Sequence, residues 1–291
     1  MRRGRLVLAL AAAATLTLAG CSSGDGGDDA DADAGATSEA TEETGGAEGT
    51  IKIGIKFDQP GLGYQDGSEY TGFDVDVAKF VAGELGYGED QIEWVQAPSA
   101  QRETLLQNGQ VDMIFATYSI TDKRKEVVSF GGPYFVAGQD LLVAADDDSI
   151  SGPEDLEGKN LCSVTGSTSA QRIKDEYAAG TNLLEQPGYA ECVTALTAGT
   201  VDAVTTDDII LAGLAAVPAN EGKVKVVGNP FSEENYGVGI AKDSDKCEAI
   251  NEAITKMIDD GTWQELLDKN VGASGYVAND ELNPPTPAAC A

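Results

Sequence analysis

Cations are scarce in this chain, so each can be read individually. From residue 51 onward 40 Asp or Glu stand against 16 Lys or Arg, a net charge of −24. An anionic ligand must therefore be drawn in by local cations against the overall field. Lys56 directly follows a strand-like apolar run. Arg102 follows Ser99 within a helical pattern, and Thr117, Ser119 and then Arg124 follow a second strand-like run. Thr165 and Thr168 follow a third, with Gly166 keeping the backbone accessible at a helix start, and Asp207 follows a fourth. In open α/β sheets ligands bind at the carboxyl ends of strands. Cations, hydroxyls and an acid converging there suit a small zwitterion. Each hydroxyl also has a plainer use as a helix N-cap, as does Asp207 for the helix it opens. The two uses are compatible.

Much other chemistry is excluded. The chain has no histidine, which removes Ser-His-Asp and Cys-His relays, His-ligated zinc and histidine acid/base work. No G-x-x-x-x-G-K-[ST] run occurs, so there is no P-loop. Asp146-Asp147-Asp148 lacks the alternating spacing and terminal Glu of a calcium loop and reads as a solvated surface. The acidic balance argues against nucleic acid and anionic headgroups as direct partners. No catalytic residue, metal or cofactor is expected.

The elements that must position these residues alternate. Strand-like runs cover Thr50–Ile55, Gln91–Val95, Val111–Phe115, Gln139–Ala144, Asn160–Val164, Asn182–Glu185, Ala203–Thr205, Lys223–Val227 and Tyr236–Ala241. Helical patterns cover Phe73–Leu85, Ser99–Asn108, Ser167–Ala178, Tyr189–Ala198, Asp207–Ala215, Lys246–Asp259 and Thr262–Asn270. The alternation predicts an α/β protein with largely parallel sheets, and its length allows two lobes. Trp94 and Trp263 sit in apolar patterns and read as core.

The N-terminus reads as an export signal. Arg2, Arg3 and Arg5 precede an apolar stretch from Leu6 to Leu18, and Leu18-Ala19-Gly20-Cys21 closes it. This resembles the lipobox of bacterial lipoproteins, in which Cys21 becomes the lipidated first residue. The apolar run is shorter than the about 20 residues a spanning helix needs. Residues 22–50 hold nine Asp or Glu and no Lys or Arg, too polar to offset chain entropy. They read as a disordered tether reaching on the order of 30 Å. With Cys21 given to lipid, four cysteines remain, and four allow three pairings. The reading favours Cys162 with Cys192, a strand start with the next helix. It then leaves Cys247 with Cys290, which would pin the Pro-rich tail; the other pairings stay open.

Three segments carry a specific resemblance: Gly72-Phe73-Asp74-Val75-Asp76-Val77-Ala78, Gln107-Asn108-Gly109-Gln110-Val111-Asp112, and Ser119-Ile120-Thr121-Asp122-Lys123-Arg124 continuing to Phe130-Gly131-Gly132-Pro133-Tyr134-Phe135. In order, they resemble the signatures of family 3 extracellular solute-binding proteins, the polar amino-acid receptors of ABC importers. Lys56-Phe57-Asp58-Gln59-Pro60-Gly61-Leu62-Gly63 and Pro98-Ser99-Ala100-Gln101-Arg102-Glu103-Thr104-Leu105 are similar to actinobacterial glutamate-binding members. The resemblance implies a two-lobed periplasmic-binding-protein-like (type II) fold with two interlobe crossover strands, Tyr134–Gly138 and Ser232–Asn235. Lobe one would be 51–134 plus 236–275, lobe two 139–232, and a C-terminal tail 276–291.

The resemblance also assigns roles. Arg124 would grip the ligand α-carboxylate bidentately, and Asp207 would take the α-ammonium. Ser119 and Thr117 would help fix the ligand, and Thr165 and Thr168 would close over it from lobe two. Lys56, Ser99 and Arg102 would face the second carboxylate of an acidic amino acid, although Arg102 has an alternative use as a structural clamp. Lys56, Arg102 and Arg124 against Asp207 give the pocket +2, better suited to glutamate than to glutamine, with Asp58 or Glu103 able to close the remainder. The expectation is a monomeric, membrane-anchored extracytoplasmic receptor delivering L-glutamate to an ABC permease. Aspartate or glutamine is the alternative ligand. A second class, a dehydratase on the same fold, needs an acid/base group in the cleft, and the sequence shows no reason for a raised pKa at Asp207 or Glu103.

Overall fold

A computed structural model describes residues 47–177 and 180–290. The leader ending at Cys21, the acidic segment through residue 46 and the end of the helix expected to reach Ala178 lie outside the described residues. Two five-stranded sheets, each covered by helices, define two lobes. Lobe one starts with β1 (Ile51–Ile55), whose three isoleucines are buried. A small antiparallel sheet follows, β2 (Asp58–Gln59), β3 (Gly63–Asp66) and β4 (Glu69–Thr71). Gly72 then turns the chain into α1 (Phe73–Glu84). Its φ of 120° is open to glycine, and a Cβ there would run into the Leu62 backbone. Next come β5 (Ile92–Gln96), a 3-10 turn at Ser99–Gln101 leading into α2 (Arg102–Gln107), β6 (Met113–Phe115), α3 (Asp122–Lys125) and β7 (Val128–Ala137).

Lobe two contains β8 (Gln139–Ala144), β9 (Asn160–Val164), α4 (Thr168–Arg172), β10 (Asn182–Gln186), α5 (Tyr189–Thr197), β11 (Ala203–Asp207), α6 (Asp208–Ala215) and β12 (Val224–Val226). The helix expected from Ser167 is α-helical for only five residues and continues as a π-helical turn, Ile173–Tyr177. β13 (Glu234–Ala241) then re-enters lobe one, where α7 (Cys247–Asp259) and α8 (Thr262–Val271) follow.

The strand orders are β5-β1-β6-β13-β7 and β10-β9-β11-β8-β12. β1 runs parallel to β5 and β6, and β9 parallel to β10 and β11, whereas β13 and β8 are antiparallel to both their neighbours. The expectation of largely parallel sheets is therefore corrected. β7 runs on into β8 and β13 returns beside β7, so the linking strands need none of the crossover helices that parallel neighbours require. The pairs Ala137 with Glu234, Val136 with Asn235 and Phe135 with Tyr236 form the two-stranded link between lobes. Pro133 is accommodated in β7 because β7 is an edge strand and its pairing with β13 shifts register at this point.

Phe73, Tyr134, Phe135, Tyr236 and Trp263 pack beneath this link with ring centroids about 6 Å apart. Trp263 is core, its Nε1 donating to the Tyr134 carbonyl at 2.8 Å. Trp94 is half-buried against Tyr70. Two disulfides join Cys162 on β9 to Cys192 on α5 and Cys247 on α7 to Cys290 in the tail. Each is worth about 2–4 kcal/mol if unstrained. The tail also lies along β7: Ala288 N–H donates to Gly132, while Asn283 accepts from the Val136 N–H and donates to its carbonyl. At the other terminus the last residues of the expected tether are fastened. Ala47 N–H donates to Gly86, and Gln91 Nε2 donates to the Ala47 and Gly49 carbonyls. No helix among the described residues is long and apolar enough to cross a membrane.

Candidate ligand-binding cleft

Lobe one holds its polar groups rigidly. Lys56, just past β1, is buried, and its Nζ donates to Ser99 Oγ at 2.7 Å. Arg102, at the start of α2, is 2 % exposed. Its Nη1 donates to the carbonyls of Ala116 at 2.9 Å and Thr117 at 3.3 Å, and its guanidinium lies 4.2 Å over the Tyr118 ring. Thr117 adopts a left-handed φ of 45°, uncommon for a β-branched residue. Its N–H donates to Asp74 Oδ2 at 2.9 Å, and Asp74 also accepts from Tyr134 Oη at 2.7 Å. Thr121 caps α3 by accepting the Arg124 N–H. The Arg124 Nη1 donates to Ser119 O at 2.7 Å, its Nε pairs with Glu103 at 3.2 Å, and its Nη2 reaches Gly166 O of lobe two at 3.1 Å.

Lobe two presents hydroxyls and an acid. Ser167, not Thr168, caps α4, accepting the Ala170 N–H at 2.9 Å. The Ser167 amide is itself spent on Val164 O, so the accessible backbone expected at this helix start does not include it. Thr168 Oγ1 is left to meet Ser119 Oγ across the cleft at 3.3 Å. Gly166 has a φ of 81°, and a Cβ on it would come within 2.7 Å of Ala100 Cα in lobe one. Only glycine leaves that closure contact open. Asp207 ends β11 and its side chain does not cap α6. The neighbouring Asp208 accepts the Ile209 and Gly138 amides instead. That leaves Asp207 to accept Tyr236 Oη at 2.5 Å and Ser169 Oγ at 3.5 Å.

Ser99, Arg102, Thr117, Thr168, Ser169 and Asp207, with Tyr189 and Ile210, enclose a small cavity between the lobes, of only about 10 Å³. That is room for about one water molecule at most, so the two lobes stand closed upon each other with their polar groups nearly in contact. Ser99, Ser167 and Thr168 also wall an adjoining, more open space that Arg124 and Glu103 border. Of the expected residues, Ser99, Arg102, Thr117, Thr168 and Asp207 line the cavity, Arg124 borders the adjoining space, and Lys56 and Ser119 stand behind the lining, bonded to Ser99 and Thr168. The structure does not bring Thr165 there: that side chain is exposed and lines neither space, because β9 ends before it and its N–H is held by Gln186 O. Asp74, Ser169, Tyr236 and Gln59 belong to the cleft region although sequence reasoning gave them no role. Asp74 and Gln59 both stood within the segments that carry the resemblance, with polar side chains that could have flagged them.

Burial dominates the electrostatics. Loss of water, with Arg102 close by, lowers the Lys56 ammonium to about 7. Burial and then Arg124 lower Arg102 to about 10. Burial raises Asp74 to about 6. It also lifts Asp207 well above the usual carboxylate range, helped by Glu234. The sequence showed no reason for a raised pKa at Asp207; the enclosure supplies one. Glu103 neutralises Arg124, so the local excess is carried by Lys56 and Arg102, neither of which makes an ion pair among the described residues.

Two α/β lobes joined by a two-stranded link around a small polar gap define a binding protein for small charged solutes. The chain belongs to the bacterial extracellular solute-binding proteins, family 3, whose model matches residues 51–273. It is 48% identical to the glutamate-binding protein GluB of Corynebacterium efficiens over 80% of this chain and 82% of that one. It is 39% identical to the glutamine-binding protein GlnH of Bacillus subtilis over 75% and 80%. A solved ancestral arginine-binding protein bound to glutamine superposes with a TM-score of 0.71 at 37% identity, covering 78% of this chain and 99% of that one.

Proposed function

We propose that this protein is the extracytoplasmic receptor of an ABC importer, that its ligand is L-glutamate, and that it is held at the membrane by a lipid on Cys21. The observation carrying the ligand is the pair of buried cations, Lys56 and Arg102, which meet at Ser99 and have no acid paired to them among the described residues. A buried charge is costly unless compensated, and the second carboxylate of glutamate supplies the compensation. Arg124 and Ser119 receive the α-carboxylate, Asp207 the α-ammonium, and Thr168 closes from lobe two. Closing expels water and strengthens each charge-assisted bond. The closed arrangement is what a permease would read, and glutamate shifts the lobes toward it only by its differential affinity.

Resemblance to the Corynebacterium glutamate-binding protein supports this reading. Glutamine is the second reading, favoured by the lowered Lys56 pKa, which makes the neutral amine accessible near pH 7. Calorimetry on residues 47–291 against glutamate, aspartate, glutamine and asparagine tests it. Tightest binding of glutamate is expected, and preference for either amide would overturn the ligand assignment. Turnover of a prephenate-like acid would instead favour the dehydratase class.

A further inference from the structure

Gly213 stands buried inside α6, where every other residue from Ile209 to Ala215 is an isoleucine, leucine or alanine. Glycine in a helix interior is destabilising relative to alanine. Its φ is not positive, so the backbone does not call for it. What requires it lies in the other lobe: a Cβ on Gly213 would come 2.2 Å from the Pro60 carbonyl oxygen. Pro60 follows β2, the lobe-one strand that packs against α5 and α6. Its turn is fastened to lobe one, because Leu62 N–H donates to Gln59 O and the Phe73 and Asp74 amides at the start of α1 donate to the carbonyls of Gly61 and Leu62. The Pro60 carbonyl therefore has little room to retreat. A neighbouring contact is softer. A Cβ on Gly188, where α5 begins, would meet Asp58 Oδ2 at 2.3 Å, and a side-chain end can swing aside where a backbone carbonyl cannot.

We propose that Gly213 is a positioning residue for ligand capture: the Pro60 carbonyl seats on it when the lobes close, and this fit fixes how far they close. Gly213 lies one turn along α6 from Ile210, which lines the cavity, but does not line it itself. The helix face that closes over the ligand thus continues onto Pro60. A contact between lobes is made only in the closed form. Ligand draws the lobes there by its differential affinity for the two arrangements, so an obstacle to closure lowers affinity for every ligand by one factor. That holds whichever amino acid the cleft takes.

Gly213→Ala separates this role from a purely structural one. Loss of the helix-interior glycine should raise the thermal midpoint of the ligand-free protein by about 2 °C. Calorimetry with glutamate, aspartate, glutamine and asparagine should show binding weakened roughly 10- to 100-fold for each ligand that wild type binds, the scale of an overpacked contact. The ratios between ligands should not change. A lowered midpoint would show the contact to be present before closure, wild-type affinity would show that it does not limit closure, and an altered ratio would place Gly213 in the ligand site. Any of the three overturns the proposal. Gly188→Ala faces a movable carboxylate and should weaken binding several-fold at most; a loss matching that of Gly213→Ala would overturn the assignment of the stop to the Pro60 backbone.

Discussion

The two walls of the cleft are built differently. In lobe one the cations are tied chiefly to their own lobe, Lys56 to Ser99, Arg102 to Ala116 and Thr117, Arg124 to Ser119 and Glu103, with a single Arg124 bond crossing to Gly166. In lobe two Thr168 and Asp207 direct their bonds elsewhere, Thr168 toward Ser119 and Asp207 toward Tyr236 on the returning strand. Donors fixed before the ligand arrives lose little entropy on binding it. Thr168, whose partner lies across the gap, is satisfied only when the lobes meet. Lobe one is thus the receptor surface and lobe two the part whose position reports occupancy.

Deletions in lobe one should abolish capture, and changes in lobe two should loosen closure. Arg124→Ala is expected to cost about 3 kcal/mol or more of glutamate affinity, the scale for leaving a buried partner uncompensated, measured by calorimetry. Survival of wild-type affinity would remove lobe one from its assigned role. Lys56→Met should weaken glutamate about 100-fold and glutamine far less. Its pH signature has a definite sign. Lys56 titrates near 7 in the free protein, and a carboxylate beside it raises that value. At pH 8, therefore, glutamate binding takes up a proton at Lys56, and the affinity this group contributes declines as pH rises past about 7. Calorimetry in buffers of different ionisation enthalpy should show greater proton uptake in wild type than in Lys56→Met.

Gly166→Ala should cost about 1–3 kcal/mol by overpacking against Ala100. Small-angle scattering should then show a ligand-bound form more open than wild type. Thr168→Val should have the smallest effect, about 0.5–1.5 kcal/mol for one hydrogen bond, expressed as faster release in stopped-flow dissociation. If Thr168→Val weakened binding as much as Arg124→Ala, the division of labour between the walls would be wrong.

The regular elements were legible where their period was clean. Gln139–Ala144 and Asn160–Val164 form strands over the expected spans, and the helices from Phe73, Tyr189, Lys246 and Thr262 lie within a residue or so of expectation. β7 was hidden because Gly131-Gly132-Pro133 interrupts its apolar pattern; the edge position and a register shift against β13 accommodate them. The small sheet of β2 to β4 was too short to show a period. In the site, residues fixed by local chemistry were legible, such as Arg124 in its capped turn. Those defined by contact between lobes were not. The Tyr236 hydroxyl on Asp207 and the outward turn of Thr165 depend on segments distant in sequence. The two disulfides join the cysteines the reading favoured.

Asn283 imitates a neighbouring strand, taking the Val136 N–H and returning a donor to its carbonyl. Val136 lies at the outer edge of the lobe-one sheet, in the stretch that leads to the second lobe. An uncovered edge there would be a template for pairing with another chain. With one side-chain amide occupying it, the connecting ribbon can bend without offering strangers a place to attach.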